Sequence, residues 1–309
     1  MTHTEKLAAI LAAVQTDPGN RGLARDPVDN LFTATAGDFE RACRSLTAAP
    51  GTRVGLLTGF YIPTATPPAF ETDGPLGTLF LAEALKCLGF SPSVFTTFPC
   101  DAILEPRLKE FGGHARSVPP AGQPWWAHLA IDYAPICTAY TSHLISVECV
   151  GPSWSDGRSR SMRGAEITKH TAPLHHLVDE ANRIGETTTI GIGDGGNEIG
   201  MGRVAWGVIA RNIANGAQIA CRVPTDHLIV AGVSNWGAYA LAAGIFVLRG
   251  VIPPADLFDP DRELAILEAM VRDGPLVDGV TGQQTATVDG LTWDEYSRPL
   301  LAIRRILDS

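Results

Sequence analysis

The stretch Gly191–Gly202, GIGDGGNEIGMG, constrains this chain more than any other. Six glycines surround Asp194, Asn197 and Glu198. A β-branched run, Thr187-Thr188-Thr189-Ile190, precedes it and reads as a strand. Apolar residues at helical spacing follow it and predict a helix over 199–213. Strand, glycine loop and helix form the layout in which backbone N–H groups face a ligand at a helix N-terminus. Two acids in such a loop point to a polar, chemically active site rather than a plain turn. The bland alternative is a glycine-rich turn that packs a helix tightly on a sheet.

Gly191, Gly193 and Gly196 also satisfy G-x-G-x-x-G after a strand, the dinucleotide fingerprint. Two features argue against that reading. Asp194 and Glu198 would repel a pyrophosphate. The ribose-binding acid expected about 20 residues further on is missing, since Asp226 lies too far along. NAD(P) is therefore not an expected cofactor.

A chain of 309 residues with 45% hydrophobic and 18% charged content can bury a large core. We expect one α/β domain over 1–309, with residues 1–50 a helical segment packed on it. Net charge is −9 and no basic cluster exists, which argues against nucleic acid and anionic membrane as partners. The longest apolar runs, such as Ala238 to Leu248, are too short for a membrane span. The N-terminus contains acids and lacks a signal-peptide cleavage pattern. Six cysteines (Cys43, Cys87, Cys100, Cys137, Cys149 and Cys221) include no C-x-x-C pair. That scatter fits reduced, mostly buried thiols in a cytoplasmic protein. His175-His176 sits on a helical pattern whose neighbours point in different directions, and reads as a partly exposed polar face.

Along the chain the pattern alternates. Helices are predicted at 5–16, 36–48, 77–88, 102–111, 173–183, 199–213, 236–249, 261–272 and 293–307. Strands are predicted at 53–57, 94–96, 127–131, 143–149, 187–191 and 227–231. Residues 151–165 form a polar loop too long for a simple connection. Such alternation implies a three-layer, mainly parallel twisted sheet with helices on both faces, Rossmann-like in build. Ligands of such sheets sit beyond the carboxyl ends of the strands. The conspicuous loops all fall there: Thr58-Gly59, then Glu71 to Gly77 with Asp73 and Gly74; Glu148; the glycine loop; and Ala231 to Gly237 with Ser234 and Asn235. Taken singly, Asp73, Ser234 or Asn235 could merely cap the helix that follows. Their convergence on one rim points to a site.

TGFYIP (58–63), ETDGPLG (71–77), MRG (162–164), the glycine loop, AGVSNWGAYAL (231–241) and TVDGL (287–291) occur in order over most of the chain. Through them the chain resembles the D-glutamate cyclase-like C-terminal domain family. The resemblance implies a lyase that closes D-glutamate to 5-oxo-D-proline with loss of water, and hence a small acidic amino acid as partner. Ring closure is intramolecular, so folding the substrate correctly supplies much of the rate. The amine must be neutral to attack, and the carboxyl oxygen must leave as water. Asp73, Asp194 and Glu198 are the candidates for base and acid, with pKa values pushed apart by their neighbours. The N–H groups of Gly195, Gly196 and Asn197 are candidate oxyanion donors. Arg163, with Arg21 as a second choice, is expected to grip a substrate carboxylate. Asp73, Asp194 and Glu198 could instead hold Mg²⁺ or Mn²⁺. A homo-oligomer is left open.

One loop departs from the family pattern. Relatives tend toward E-R-x-G…D-G-x-Y-x-N-M-R-G, whereas this chain reads ECVGPSWSDGRSRSMRG. Glu148 and Met162-Arg163-Gly164 remain, but Cys149 stands at the arginine position and Ser161 at the asparagine position. If those positions grip substrate, a smaller or less charged analogue would be preferred. Two other classes stay open: a lactam-opening hydrolase, which is the reverse reaction, and a non-catalytic amino-acid-binding protein.

Overall fold

Alternation of apolar side chains along the strands decides how the layers stack. In β1 (Arg53–Thr58) Val54 and Leu56 enter one core while Leu57 enters another. In β6 (His143–Val147) Ile145 and Val147 take the first core and Leu144 the second. In β8 (His227–Val230) Ile229 faces the first, and Leu228 and Val230 the second. Strand side chains alternate between faces, so a sheet that is apolar on both faces must be covered on both. The computed structural model describes residues 1–121 and 141–309. The strand expected at 127–131 lies outside the described residues.

The remaining strands are β2 (Tyr61–Ile62), β3 (Ala69–Phe70), β4 (Ser91–Thr96), β5 (Ala115–Ser117) and β7 (Thr188–Gly193). Six of them form one sheet in the order β5-β4-β1-β6-β7-β8, with every pair parallel. β2 and β3 form a separate antiparallel pair. Numbered along the chain, the sheet strands run 3-2-1-4-5-6, the doubly wound order. The fold is thus the three-layer, Rossmann-like α/β arrangement. The chain leaves β1 toward one edge and later builds outward from its other side. The crevice this reversal opens lies beyond the carboxyl ends of β1 and β6, where Thr58 is in register with Val147.

Helices His3–Val14, Asp38–Ala48, Pro75–Cys87, Ser234–Arg249 and Arg298–Leu307 fill the first face. His175–Ile184, Trp206–Asn212 and Gly216–Ile219 fill the second. Every position from Ser234 to Val247 is buried, as expected of a helix apolar all round. Where it crosses Pro75–Cys87, only Gly77 fits, because a Cβ there would lie 2.7 Å from the Asn235 Cα. Among the described residues no helix is long and apolar enough to cross a membrane.

Two helix readings change. The helix expected at 199–213 is regular only over Trp206–Asn212. Ile199, Met201 and Val204 are buried, but they belong to an irregular segment whose amides bond elsewhere. Gly200 and Gly202 N–H groups both donate to the Val223 carbonyl. The single helix expected at 293–307 is two pieces, Trp293–Tyr296 and Arg298–Leu307. Proline 299 sits in the first turn of the second, where its missing N–H costs nothing. The rings of His175 and His176 lie 4.2 Å apart rather than diverging. Cys43, Cys100, Cys149 and Cys221 are buried thiols, while Cys87 is exposed and Cys137 is outside the described residues.

A buried polar chain runs behind the central helix. The Tyr239 hydroxyl donates to Glu263 Oε1 at 2.7 Å and lies 2.7 Å from the Tyr296 hydroxyl. Burial pushes the Glu263 carboxyl up to about 7. The unfolded chain ionises near 4.5, so the folded state is penalised as pH rises from there, in full above about 7. A carboxyl moved that far is worth on the order of 3 kcal/mol. Glu263→Gln should therefore gain stability over wild type at pH 8 and lose that advantage at pH 4. Urea midpoints at the two pH values check this, and a gain independent of pH would contradict it.

Candidate functional site

The loops beyond the strand ends bring six carboxyl groups into the crevice. Asp73 follows the β2–β3 pair, Glu148 follows β6, and Asp194 and Glu198 follow β7. Glu71 and Asp289 complete the group. An oxygen from each of Asp73, Asp194 and Asp289 lies within 4.8 Å of the others, and the same holds for Glu148, Asp194 and Glu198. Asp194 belongs to both sets.

Backbone amides fix several of these groups in place. Asp73 Oδ2 accepts from the Ser234 N–H at 2.9 Å, and Oδ1 from Asn235 and Gly74 at 2.8 and 3.0 Å. Asp73 thus binds the first amides of the helix Ser234–Arg249, the contact helix termini leave open. Asn235 Oδ1 returns the arrangement by accepting from the Gly74 and Gly77 amides at 2.8 and 2.7 Å. Ser234 Oγ donates to Glu148 Oε2 at 2.5 Å. Asp73 therefore does not cap the helix that follows it, Pro75–Cys87; it and Asn235 each hold the start of the other's helix.

The glycine loop behaves differently from expectation. It opens no helix, and its Asp194 and Gly196 amides turn inward. Glu198 Oε1 and Oε2 accept from the Asp194 and Gly196 amides at 3.2 and 2.7 Å. The Gly196 N–H is thereby committed to Glu198 rather than aimed at a ligand. Asn197 Nδ2 donates to the Arg160 carbonyl at 2.8 Å, leaving Oδ1 buried without a partner. Gly195 admits no side chain, since a Cβ there would lie 2.5 Å from Met162 Sδ and 2.8 Å from Glu198 Oε1. Asp226, weighed as a ribose ligand, instead fastens β7 by accepting from the Thr189 amide at 2.8 Å.

Arg21 supplies the positive charge. Its Nη1 lies 2.5 Å from Asp194 Oδ2 and its Nη2 2.7 Å from Asp289 Oδ1. Nη1 also donates to the Gly232 carbonyl at 3.3 Å. Among the described residues it is the one basic side chain in an ion pair with any of the six acids. Asp17 holds it there by accepting from the amides of Arg21, Gly22 and Leu23 at 2.8, 2.8 and 3.0 Å. Asp278 does the same for the Asp289 turn, accepting from the Val280, Thr281 and Gly290 amides. Asn20, Glu148 and Asp289 all adopt positive φ without being glycine. Such conformations cost about 1–3 kcal/mol and gather where surroundings impose them.

Arg163, the first choice for gripping substrate, is not among these groups. It is exposed, and its Nη2 donates to the Val280 carbonyl at 3.0 Å. Cys149, at the position where relatives tend toward arginine, is 1% exposed and packs in the second core. An arginine at that position would have to enter that core. Thr58, Gly74 and Glu148 do meet, with Thr58 Oγ1 and Glu148 Cβ 2.9 and 2.8 Å from the point where a Gly74 Cβ would sit. Gly59, at φ +120°, turns the chain at the end of β1. Ser161 caps no acid of the cluster: its amide and carbonyl serve the local turn at 161–165.

Burial raises all six carboxyls. It lifts Asp194 to about 6 and Asp289 to about 7, with Arg21 opposing in both. It carries Asp73, Glu71 and Glu148 well above the usual range, and neighbouring acids add to the rise. Burial raises Glu198 too, against its amide donors. For Arg21, burial works against the charge, but Asp194, Asp289, Glu148 and Asp73 outweigh it and hold the guanidinium well above its ordinary value.

Fold and site together define a doubly wound α/β protein with a buried acidic centre at the switch point of its sheet. The chain matches the family described as D-glutamate cyclase-like, C-terminal, over residues 10–304, and it belongs to that family. It is 30% identical over 256 residues to the mitochondrial D-glutamate cyclase of Homo sapiens. Those residues span 79% of this chain but 39% of that protein. Among solved structures, exonuclease RecJ bound to manganese aligns over 84% of this chain and 46% of its own, with TM-score 0.38 and 13% identity. A mutant O-ureido-L-serine synthase with O-ureido-L-serine bound aligns over 77% and 85%, with TM-score 0.23 and 11% identity. At those scores neither bears on the chemistry.

Proposed function

We propose that the chain cyclises D-glutamate to 5-oxo-D-proline with loss of water. The relative's name supplies the substrate. The observation that carries the chemistry is the pair Asp194 and Asp289, two buried carboxyls near neutrality on one arginine. Groups with such values exchange protons readily at pH 7. One can take the proton that keeps the substrate amine from attacking, and the other can give a proton to the departing γ-carboxyl oxygen. The crevice holds the substrate folded, which makes the attack intramolecular.

Both ends of the Arg21 guanidinium are engaged with protein carboxylates and a carbonyl. We therefore assign it to holding Asp194 and Asp289, not to gripping substrate. Thr58, Asn197, Ser234 and Asn235 line or support the same crevice as polar, uncharged groups. Incubation with D-glutamate, L-glutamate and 5-oxo-D-proline in parallel, followed by proton NMR, tests the reading. Conversion of the D-amino acid is expected. Opening of the lactam without any closure would favour a hydrolase, and tight binding without turnover of any of the three would favour a sensor.

A further inference from the structure

Six buried acids and one arginine leave the crevice five formal charges short of balance if all ionise. Protons or cations must supply the difference, because unpaired buried charge is strongly disfavoured. The geometry points to cations. We propose that the cluster binds two hard divalent cations side by side, one on Asp73, Asp194 and Asp289 and the other on Glu148, Asp194 and Glu198, with the Asp194 carboxylate bridging them. This stands on the arrangement of oxygens. With the ions bound Asp194 and Asp289 are ligands, so the proton transfers assigned to them above belong to the ion-free protein.

Three observations carry it. The two sets of oxygens each fall within 4.8 Å, close enough for one ion apiece, and they share Asp194. The second observation lies outside the acids. Asn197 is fully buried, and its amide nitrogen is committed to Arg160, so its Oδ1 is the atom left without a donor. That oxygen and Glu198 Oε1 lie 2.9 and 2.8 Å from one point, the place a Gly195 Cβ would occupy. A buried neutral oxygen beside a carboxylate oxygen meets a cation well and another acceptor badly. Asp289 Oδ2 is likewise buried and unpartnered. Third, Asp73 and Glu198 are oriented by backbone N–H groups rather than by basic side chains. Asp73 Oδ2 and both Glu198 oxygens each accept a single amide and retain a further lone pair, so these amide-held carboxylates are pre-set ligands.

The ligand atoms are all oxygen, which suits Mg²⁺ or Mn²⁺ over softer metals. Two ions sharing a carboxylate would sit roughly 3.5–4 Å apart. Such a pair would also turn an anionic crevice into one that accepts an anionic substrate.

Manganese itself is the probe. Chelator-stripped, full-length protein is titrated with Mn²⁺ by calorimetry, and electron paramagnetic resonance follows bound and free ion. Two Mn²⁺ per chain with a spin-coupled spectrum are expected. Glu198→Gln and Asp73→Asn should each leave one ion, uncoupled. Asp194→Asn should abolish the coupling and weaken both ions by more than ~100-fold. Circular dichroism establishes that each variant is folded; should Asp194→Asn fail, the other two carry the test. One ion or none in wild type, or two ions uncoupled, overturns the proposal whether or not the protein cyclises D-glutamate. A wild type that binds the coupled pair but turns over no glutamate leaves the cation site standing and removes the cyclase reading.

Discussion

Asp194→Asn is expected to lower kcat by at least about a hundredfold while the protein stays folded. The lower bound reflects general acid–base catalysis, worth roughly 10²–10⁴-fold. It also reflects position, since Asp194 is the residue common to both carboxylate sets. Asp194 is 2% exposed, so retained folding depends on how its buried charge is balanced. Neutralising it loses the ion pair with Arg21 but also relieves repulsion from Asp73, Glu148 and Glu198, and the two effects oppose. Steady-state turnover and a thermal melt measured on the same preparation check it. Wild-type turnover from a variant that melts far lower would make Asp194 a structural residue.

Arg21→Met should be strongly destabilising. It removes the partner of two buried carboxylates at once. Breaking a buried pair by deleting one side typically costs about 3–5 kcal/mol. The loss should depend on pH, and the sign follows from the raised carboxyls. Asp194 and Asp289 already titrate near 6 and 7, above the 3.8 of an unfolded aspartate. Without Arg21 they rise further, so at low pH they are protonated and little is lost. As pH climbs past 4 the unfolded chain ionises first, and the penalty on the folded state grows through neutrality. In metal-free buffer the urea midpoint of the variant should approach wild type at pH 5 and fall well below it at pH 8. An equal deficit at both values would mean that Arg21 contributes packing rather than charge.

The sheet and the strand-end loops were legible because both follow from short-range pattern. Buried parallel strands announce themselves as apolar runs, and the loops after β1, β6, β7 and β8 then have to share one edge. Asp73, Glu148, Asp194, Glu198, Ser234 and Asn235 meet for that reason. Arg21 and Asp289 belong to no predicted strand end. Arg21 lies in the aperiodic stretch between the first two helices. The hint there was Asp17 ahead of Gly22, an acid poised to collect amides. Asp289 sits in TVDGL, whose Asp-Gly pair marked a turn but said nothing of where that turn docks. The helix over 199–213 is shortened because Ile199, Met201 and Val204 are buried in an irregular segment tied to Val223 instead. Arg163 is named by its motif neighbours; it is exposed, bonded to the Val280 carbonyl, and in no ion pair with the six acids.

Closure of D-glutamate into a lactam by the acid cluster around Asp194 is directly observable. Carbon-13 NMR of D-glutamate labelled at the γ-carboxyl carbon reads that reaction at the bond it forms. Wild type, with and without added Mn²⁺, should convert the carboxylate resonance to that of the lactam carbonyl, and folded Asp194→Asn should not. Equal conversion by both proteins, or none by wild type in either condition, would contradict the account.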